Sequence, residues 1–191
     1  MSKLYFNMNE AHSHLLINHF PIIGLLFGIL VLIVGIIAKS SVTRRVGLML
    51  FLVSGITSFP SFKTGEGAEH HFEEYSEKTF EKEYKVPMEM RMEKHEELEH
   101  YIHEHEEKAE ALMPFMWGII ILSLIALYLE WKKKSMALVA SIVVLIVGCL
   151  AAYFAREVGN SGGLIAHPEI RTEKASAGHE SHEEREMQDD D

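Results

Sequence analysis

The chain has 191 residues, with 18 Lys+Arg against 28 Asp+Glu and a formal net charge of −10. That length fits one domain or one small membrane bundle, and the acidic balance excludes the basic footprint of a nucleic-acid binder. The single cysteine, Cys149, excludes an intramolecular disulfide and a Cys-rich zinc module. Apolar and charged residues occupy separate blocks, so the unremarkable average of 48% hydrophobic and 24% charged residues hides a membrane pattern.

The first apolar run covers residues 15–38, LLINHFPIIGLLFGILVLIVGIIA, with no formal charge. It exceeds the ~20 residues needed to cross a bilayer core. It starts late and is followed by KSSVTRR with no small-residue cleavage site, so a retained helix is expected rather than a signal peptide. Gly24 and Gly28 make a GxxxG pair, with Gly35 further along. Small residues let helix backbones approach closely in lipid, which points to packing within a bundle; a homodimer seam is the alternative use. His12, His14 and His19 stand at the start of this run. His19 lies inside it, where polar groups face the bundle interior and are candidates for function. His14 and His19 are separated by roughly 140° around an ideal helix, so they do not present themselves to one ion without help from Pro21 or the helix end.

The second run, residues 46–62, is shorter and interrupted by Ser54, Thr57, Ser58 and Pro60. The third covers residues 112–131 and the fourth 136–154, with Cys149 read as a small packing residue. Together these predict an all-α integral membrane four-helix bundle. Lys39, Arg44 and Arg45 separate spans one and two, and Lys132, Lys133 and Lys134 separate spans three and four. Both clusters abut the membrane and predict cytoplasmic loops. The two termini and the segment between spans two and three then face outward.

That outer segment, residues 63–110, holds 16 acidic residues, 7 Lys/Arg and 6 His. It reads as a helical hairpin. One helix runs from about residue 66, after TGEG, to about residue 84. Pro87 breaks it, and a second starts near Met88 and continues into span three, with Pro114 kinking the junction. Met88, Met92, His95, Leu98, Ile102, His105, Ala109 and Leu112 fall at helical spacing and form a mostly apolar stripe. His95 lies deeper in that stripe than His105, which two glutamates follow. Glu93, Glu96, His100, His103, Glu107 and Glu110 form a polar stripe, read as a solvated face. Glu66 and Glu69 share a face near the end of span two; their plain reading is as carboxylates favoured at a helix N-terminus.

Beyond span four the chain reads GNSGGLIAHPEIR. Gly159, Gly162 and Gly163 are expected to end the helix, which leaves His167, Glu169 and Arg171 at the outer surface. Residues 172–191 read as a disordered acidic tail. The topology thus gathers His14, His19, Glu66, Glu69, His95 and His167 at one edge of the membrane. Imidazole and carboxylate donors together suit iron, zinc or copper. A hydrogen-bonded interfacial network without metal is the competing reading.

Four stretches carry a resemblance: HLLINHFPIIG (residues 14–24), TGEGAE (64–69), KHEE (94–97) and GGLIAHPEIR (162–171). They resemble a family of small bacterial four-helix membrane proteins filed as a domain of unknown function, over most of residues 12–171. The resemblance implies a multi-pass protein of the cytoplasmic (inner) membrane. It also implies haem binding, and it raises His14, His19, Glu66, Glu69, His95 and His167 above the other histidines and carboxylates. The middle segment departs from the family pattern in its length and its His and Met content, and the acidic tail is an addition.

Three functions compete at this stage. The first is electron transfer through haem b held by His19 with His95 or His167, or through a non-haem metal held by the full histidine and glutamate set. Covalent c-type haem is excluded because no CxxCH occurs. A two-iron bundle would use Glu-x-x-His units; Glu97 to His100 is the one such unit, and it lies on the polar face. The second is copper or zinc handling on the outer side, suggested by Met88, Met90 and Met92 among many histidines. Spans three and four are too apolar for a transport pathway. The third is an accessory or structural subunit without cofactor, docking a membrane-complex partner. No G-x-S-x-G, H-E-x-x-H or P-loop motif supports an ordinary hydrolase.

Overall fold

The computed structural model describes the backbone of residues 10–83, 88–167 and 171, and the side chains of residues 13–65, 96–167 and 171. The side chains of Glu66, Glu69, His95 and the Met88–Met90–Met92 triplet, together with Pro87, Glu169 and the acidic tail, lie outside the described residues. Among those described, all regular structure is helical: α1 (Glu10–Ile17), α2 (His19–Ile37), α3 (Ser41–Glu83), α4 (Met88–Trp131) and α5 (Ala137–Ala166). Four helices, counting α1 with α2 as one, are long and apolar enough to cross a membrane.

The seams of the bundle follow a seven-residue repeat. In α2 the buried positions are Pro21, Leu25, Gly28, Leu32 and Gly35, alternating steps of four and three. In α4 the same arithmetic links Leu112, Met116, Ile119, Ser123, Ala126 and Glu130, all buried. In α5 it links Ala137, Ser141, Val144, Gly148, Ala151 and Ala155. Such a spacing keeps one narrow stripe against neighbouring helices, as in left-handed bundles. Each helix exposes large apolar residues on its other faces, for example Phe20, Phe27 and Leu30 on α2 and Ile121, Leu124 and Ile125 on α4. Lipid rather than water suits that surface.

Neighbours in sequence are neighbours around the ring. α2 packs on α3, α3 on α4 and α4 on α5, and α5 closes the ring on α2, while α1 lies against α3. Two tight turns join α2 to α3 and α4 to α5 at one end of the bundle, called here the lysine end. Both turns are Schellman motifs: Lys39 and Ser40 donate to Ile36 O and Gly35 O at 3.1 and 3.0 Å, and Lys133 and Lys134 donate to Glu130 O and Leu129 O at 3.2 and 3.0 Å. Lys39 and Lys133 accordingly have positive φ, 52° and 51°.

Glycines in this fold serve close approach. A Cβ on Gly24 would stand 2.8 Å from Ser54 Cβ, and one on Gly35 would stand 2.6 Å from the Arg44 backbone nitrogen. The GxxxG pair is therefore spent inside the bundle, on α3. On α5, a Cβ at Gly148 would stand 2.4 Å from the Phe51 ring.

Three expectations change. α3 runs unbroken through TGEG, so Glu66 and Glu69 are mid-helix positions and not N-terminal carboxylates. α5 continues through Gly159, Gly162 and Gly163 to Ala166, because Ser161 and Leu164 are buried there and none of the glycines takes a positive φ. Cys149 is exposed on the apolar surface and is not a packing residue.

Candidate functional site

The opposite end of the bundle, the histidine end, is built by a break in the first helix. α1 stops at Ile17 and α2 restarts at His19, with Asn18 between them. His14 and His19 face different ways, as a five-residue step around a helix requires. His14 is half-buried against α3, where its Nδ1 lies 3.0 Å from the Ser61 carbonyl oxygen and 3.4 Å from Thr64 Oγ1. A carbonyl only accepts, so Nδ1 carries the hydrogen and Nε2 keeps the lone pair. Gly65 leaves room for this ring, since a Cβ there would stand 3.5 Å from His14 Cε1. His19, by contrast, is exposed, and its Nδ1 turns back to its own helix at the Leu15 carbonyl, 3.2 Å away. The expectation that His19 faces the bundle interior fails because the five-residue step from the inward His14 turns it outward.

The second inward histidine is His105. It lies on the α4 stripe with buried Ile102 and Leu112, and it is half-buried against α5. Its Nδ1 stands 3.0 Å from Ser161 Oγ. The same hydroxyl lies 3.1 Å from Glu157 O and 3.0 Å from Val158 O. A hydroxyl has one hydrogen. Given to the helix backbone, it leaves the Ser161 oxygen to accept from His105 Nδ1; given to Nδ1, it makes that nitrogen the acceptor. Gly162 makes the contact feasible, because a Cβ there would stand 3.2 Å from His105 Cε1.

His14 packs on α3 and His105 on α5, both at this end of the bundle. Between α1 and α2, the side-chain oxygen of Asn18 is buried and has no hydrogen-bond partner among the described residues. Buried acceptors are nearly always paired, so this end of the bundle offers an acceptor to a donor that the described residues do not supply.

The remaining candidates fall elsewhere. His167 is exposed at the end of α5. The backbone of Glu66, Glu69 and His95 is helical, in α3 and α4. No group of three His, Cys, Asp or Glu poised for one metal ion occurs among the described residues. The polar stripe of α4 is solvated as expected, with Glu96, His100, His103, Glu107 and Glu110 exposed. His105 is the residue that the sequence reading ranked too low. Its place on the apolar stripe is the signal that identifies it.

Arg171 fastens the end of α5. Its guanidinium donates to Leu164 O at 2.6 Å and Ile165 O at 3.1 Å, lies 4.6 Å above the Tyr101 ring, and meets Glu97 at 3.5 Å. The quoted sequence stretches therefore meet in pairs: HLLINHFPIIG touches TGEGAE through His14 and Thr64, and KHEE touches GGLIAHPEIR through Glu97 and Arg171.

No family model, curated protein or solved structure matches the chain. The resemblance to the bacterial four-helix family rests on those four stretches alone.

Proposed function

We propose that the chain is a four-span membrane protein with a two-histidine cofactor site at the histidine end, where His14 and His105 hold haem b or another transition-metal centre for electron transfer. One observation carries this reading. Both inward imidazoles are held through Nδ1, His14 by the Ser61 carbonyl and His105 by the Ser161 hydroxyl, which points their Nε2 atoms away from those bonds as the candidate ligand atoms. A metal-binding histidine is oriented in this way by the bond its other nitrogen makes.

Two protein ligands are few for an ion bound by side chains alone, since zinc takes three or four. They are the right number for an iron that arrives with the four nitrogens of its own porphyrin. The residues present thus fit haem b better than a structural zinc site. Bound haem would supply reversible one-electron chemistry. The protein's part is to orient the two imidazoles through Ser61, Thr64 and Ser161, and to keep water away with the Gly65 and Gly162 contacts. The lysine clusters at the other end support a reading in which the histidine end faces away from the cytoplasm. A redox partner or membrane complex would meet the protein there.

The test is an ultraviolet–visible spectrum of detergent-purified protein expressed with haem supplementation, before and after dithionite. The reading expects a Soret band that shifts on reduction, changes position in His14→Ala and in His105→Ala, and is unchanged in His19→Ala. No Soret band and no stoichiometric iron, copper or zinc would favour the accessory-subunit reading, in which the two histidines only tie α1 to α3 and α4 to α5.

A further inference from the structure

The lysine end carries a feature unrelated to the histidines. Arg44 of α3 and Glu130 of α4 form a two-pronged ion pair, through Nε to Oε1 and through Nη2 to Oε2 at 3.1 Å. Both side chains are buried, Glu130 at 2% exposure and Arg44 at 11%. Beside the pair lies a cavity of about 260 Å³, lined by Ser41, Arg44, Glu130, Lys133, Lys134 and Ser135 among others. Its walls hold three cations against one carboxylate, and Arg44 already neutralises that carboxylate. Two of the five N–H groups of Arg44 are used by Glu130. The ammonium groups of Lys133 and Lys134 have no carboxylate partner among the described residues. The cavity is therefore short of negative charge, and it has hydroxyls in Ser41 and Ser135 besides.

Its surroundings are those of a lipid rather than of water. Val42, Trp131, Met136 and Leu138 expose apolar side chains at the same end. Lys132 lies over the Trp131 ring at 5.1 Å, the aromatic-and-cation arrangement of a membrane–water boundary. The volume, about 260 Å³, lies just below the ~300–1,000 Å³ of ordinary small-molecule sites and admits a phosphate together with part of the headgroup that bears it.

We infer that this cavity is a binding site for the phosphate of an anionic phospholipid, with Lys133 and Lys134 as its charge-bearing residues and the acyl chains lying along Val42 and Leu138. Basic pockets between transmembrane helices take lipid headgroups in this way.

Trp131 provides the readout. In a Trp117→Phe background it is the one tryptophan left, since the chain has two. The full chain is reconstituted in bilayers containing brominated phosphatidylglycerol or brominated phosphatidylcholine, and quenching of Trp131 gives the relative affinity of each. The expected result is preference for phosphatidylglycerol. It falls roughly fivefold for each lysine removed in Lys133→Gln and Lys134→Gln and is retained in the Lys133→Arg/Lys134→Arg double variant. Loss of preference to the same degree in Lys39→Gln, which lies on the other turn, would show general surface attraction and overturn the proposal. So would no preference at all. Inorganic phosphate is the second arm. Relief of quenching by millimolar phosphate at constant ionic strength would mean a free-phosphate site, and would overturn the lipid assignment.

Discussion

His14 and His105 owe their positions to small neighbours. Gly162 makes space for the His105 ring, while the Ser61 carbonyl and the Ser161 hydroxyl hold the two rings through Nδ1. Removal of such a supporting bond ordinarily costs ~10–100-fold in metal affinity. Ser161→Ala is therefore expected to weaken cofactor binding by about that factor in a titration of apoprotein, with the helical circular-dichroism signal unchanged. Gly162→Val should do at least as much, because its branched side chain would enter the space held by His105. The two sites separate cleanly in the sequence. His105 was within reach, since it sits on an apolar stripe that also predicts buried Ile102 and Leu112. Depth in an apolar run does not locate His19, because depth says nothing of the direction in which a side chain faces.

At the scale of the helices, the seven-residue seams decide what each substitution costs. Gly148 and Gly163 both lie on α5 but differ in surroundings. A Cβ at Gly148 would stand 2.4 Å from Phe51, whereas Gly163 has nothing within 4 Å. Overpacking of a tight core costs about 1–3 kcal/mol, and Gly→Ala at an open helical position gains about 0.5–1 kcal/mol. Gly148→Val should thus lower the thermal midpoint in detergent, and Gly163→Ala should raise it slightly. Glu130 is the other position that the seam explains. It continues the line Met116, Ile119, Ser123, Ala126, so it must turn inward, and only an arginine facing it makes that burial tolerable. Glu130→Ala leaves a buried guanidinium unpaired and is expected to cost about 3–5 kcal/mol in equilibrium unfolding from micelles. The seam is periodic and hence readable from sequence. The partner across it is not, because Arg44 reads equally well as a loop cation.

For the molecule as a whole, the all-α class and the four long apolar helices were legible, because apolar runs of that length admit few alternatives. The helix ends were not. Glycine clusters at residues 64–67 and 159–163 read as breaks, yet packing against neighbouring helices carries α3 and α5 straight through them. Sidedness remains an expectation that whole cells can check. In a Cys149→Ala background, Lys39→Cys and Ser135→Cys are predicted to be protected from an impermeant thiol reagent, while Glu107→Cys labels freely. Equal labelling at all three positions would break the antiparallel arrangement.

The central claim is that His14 and His105 are paired ligands of one metal centre. Low-temperature electron paramagnetic resonance of the oxidised, haem-supplemented protein tests it most directly. Two imidazoles on one ferric haem give a low-spin signal, and loss of either ligand converts it to high spin. The account predicts low-spin signal in the native chain, high-spin signal in His14→Ala and in His105→Ala, and no change in His19→Ala. A low-spin signal that survives both of the first two substitutions, or no haem signal at all after supplementation, would contradict it.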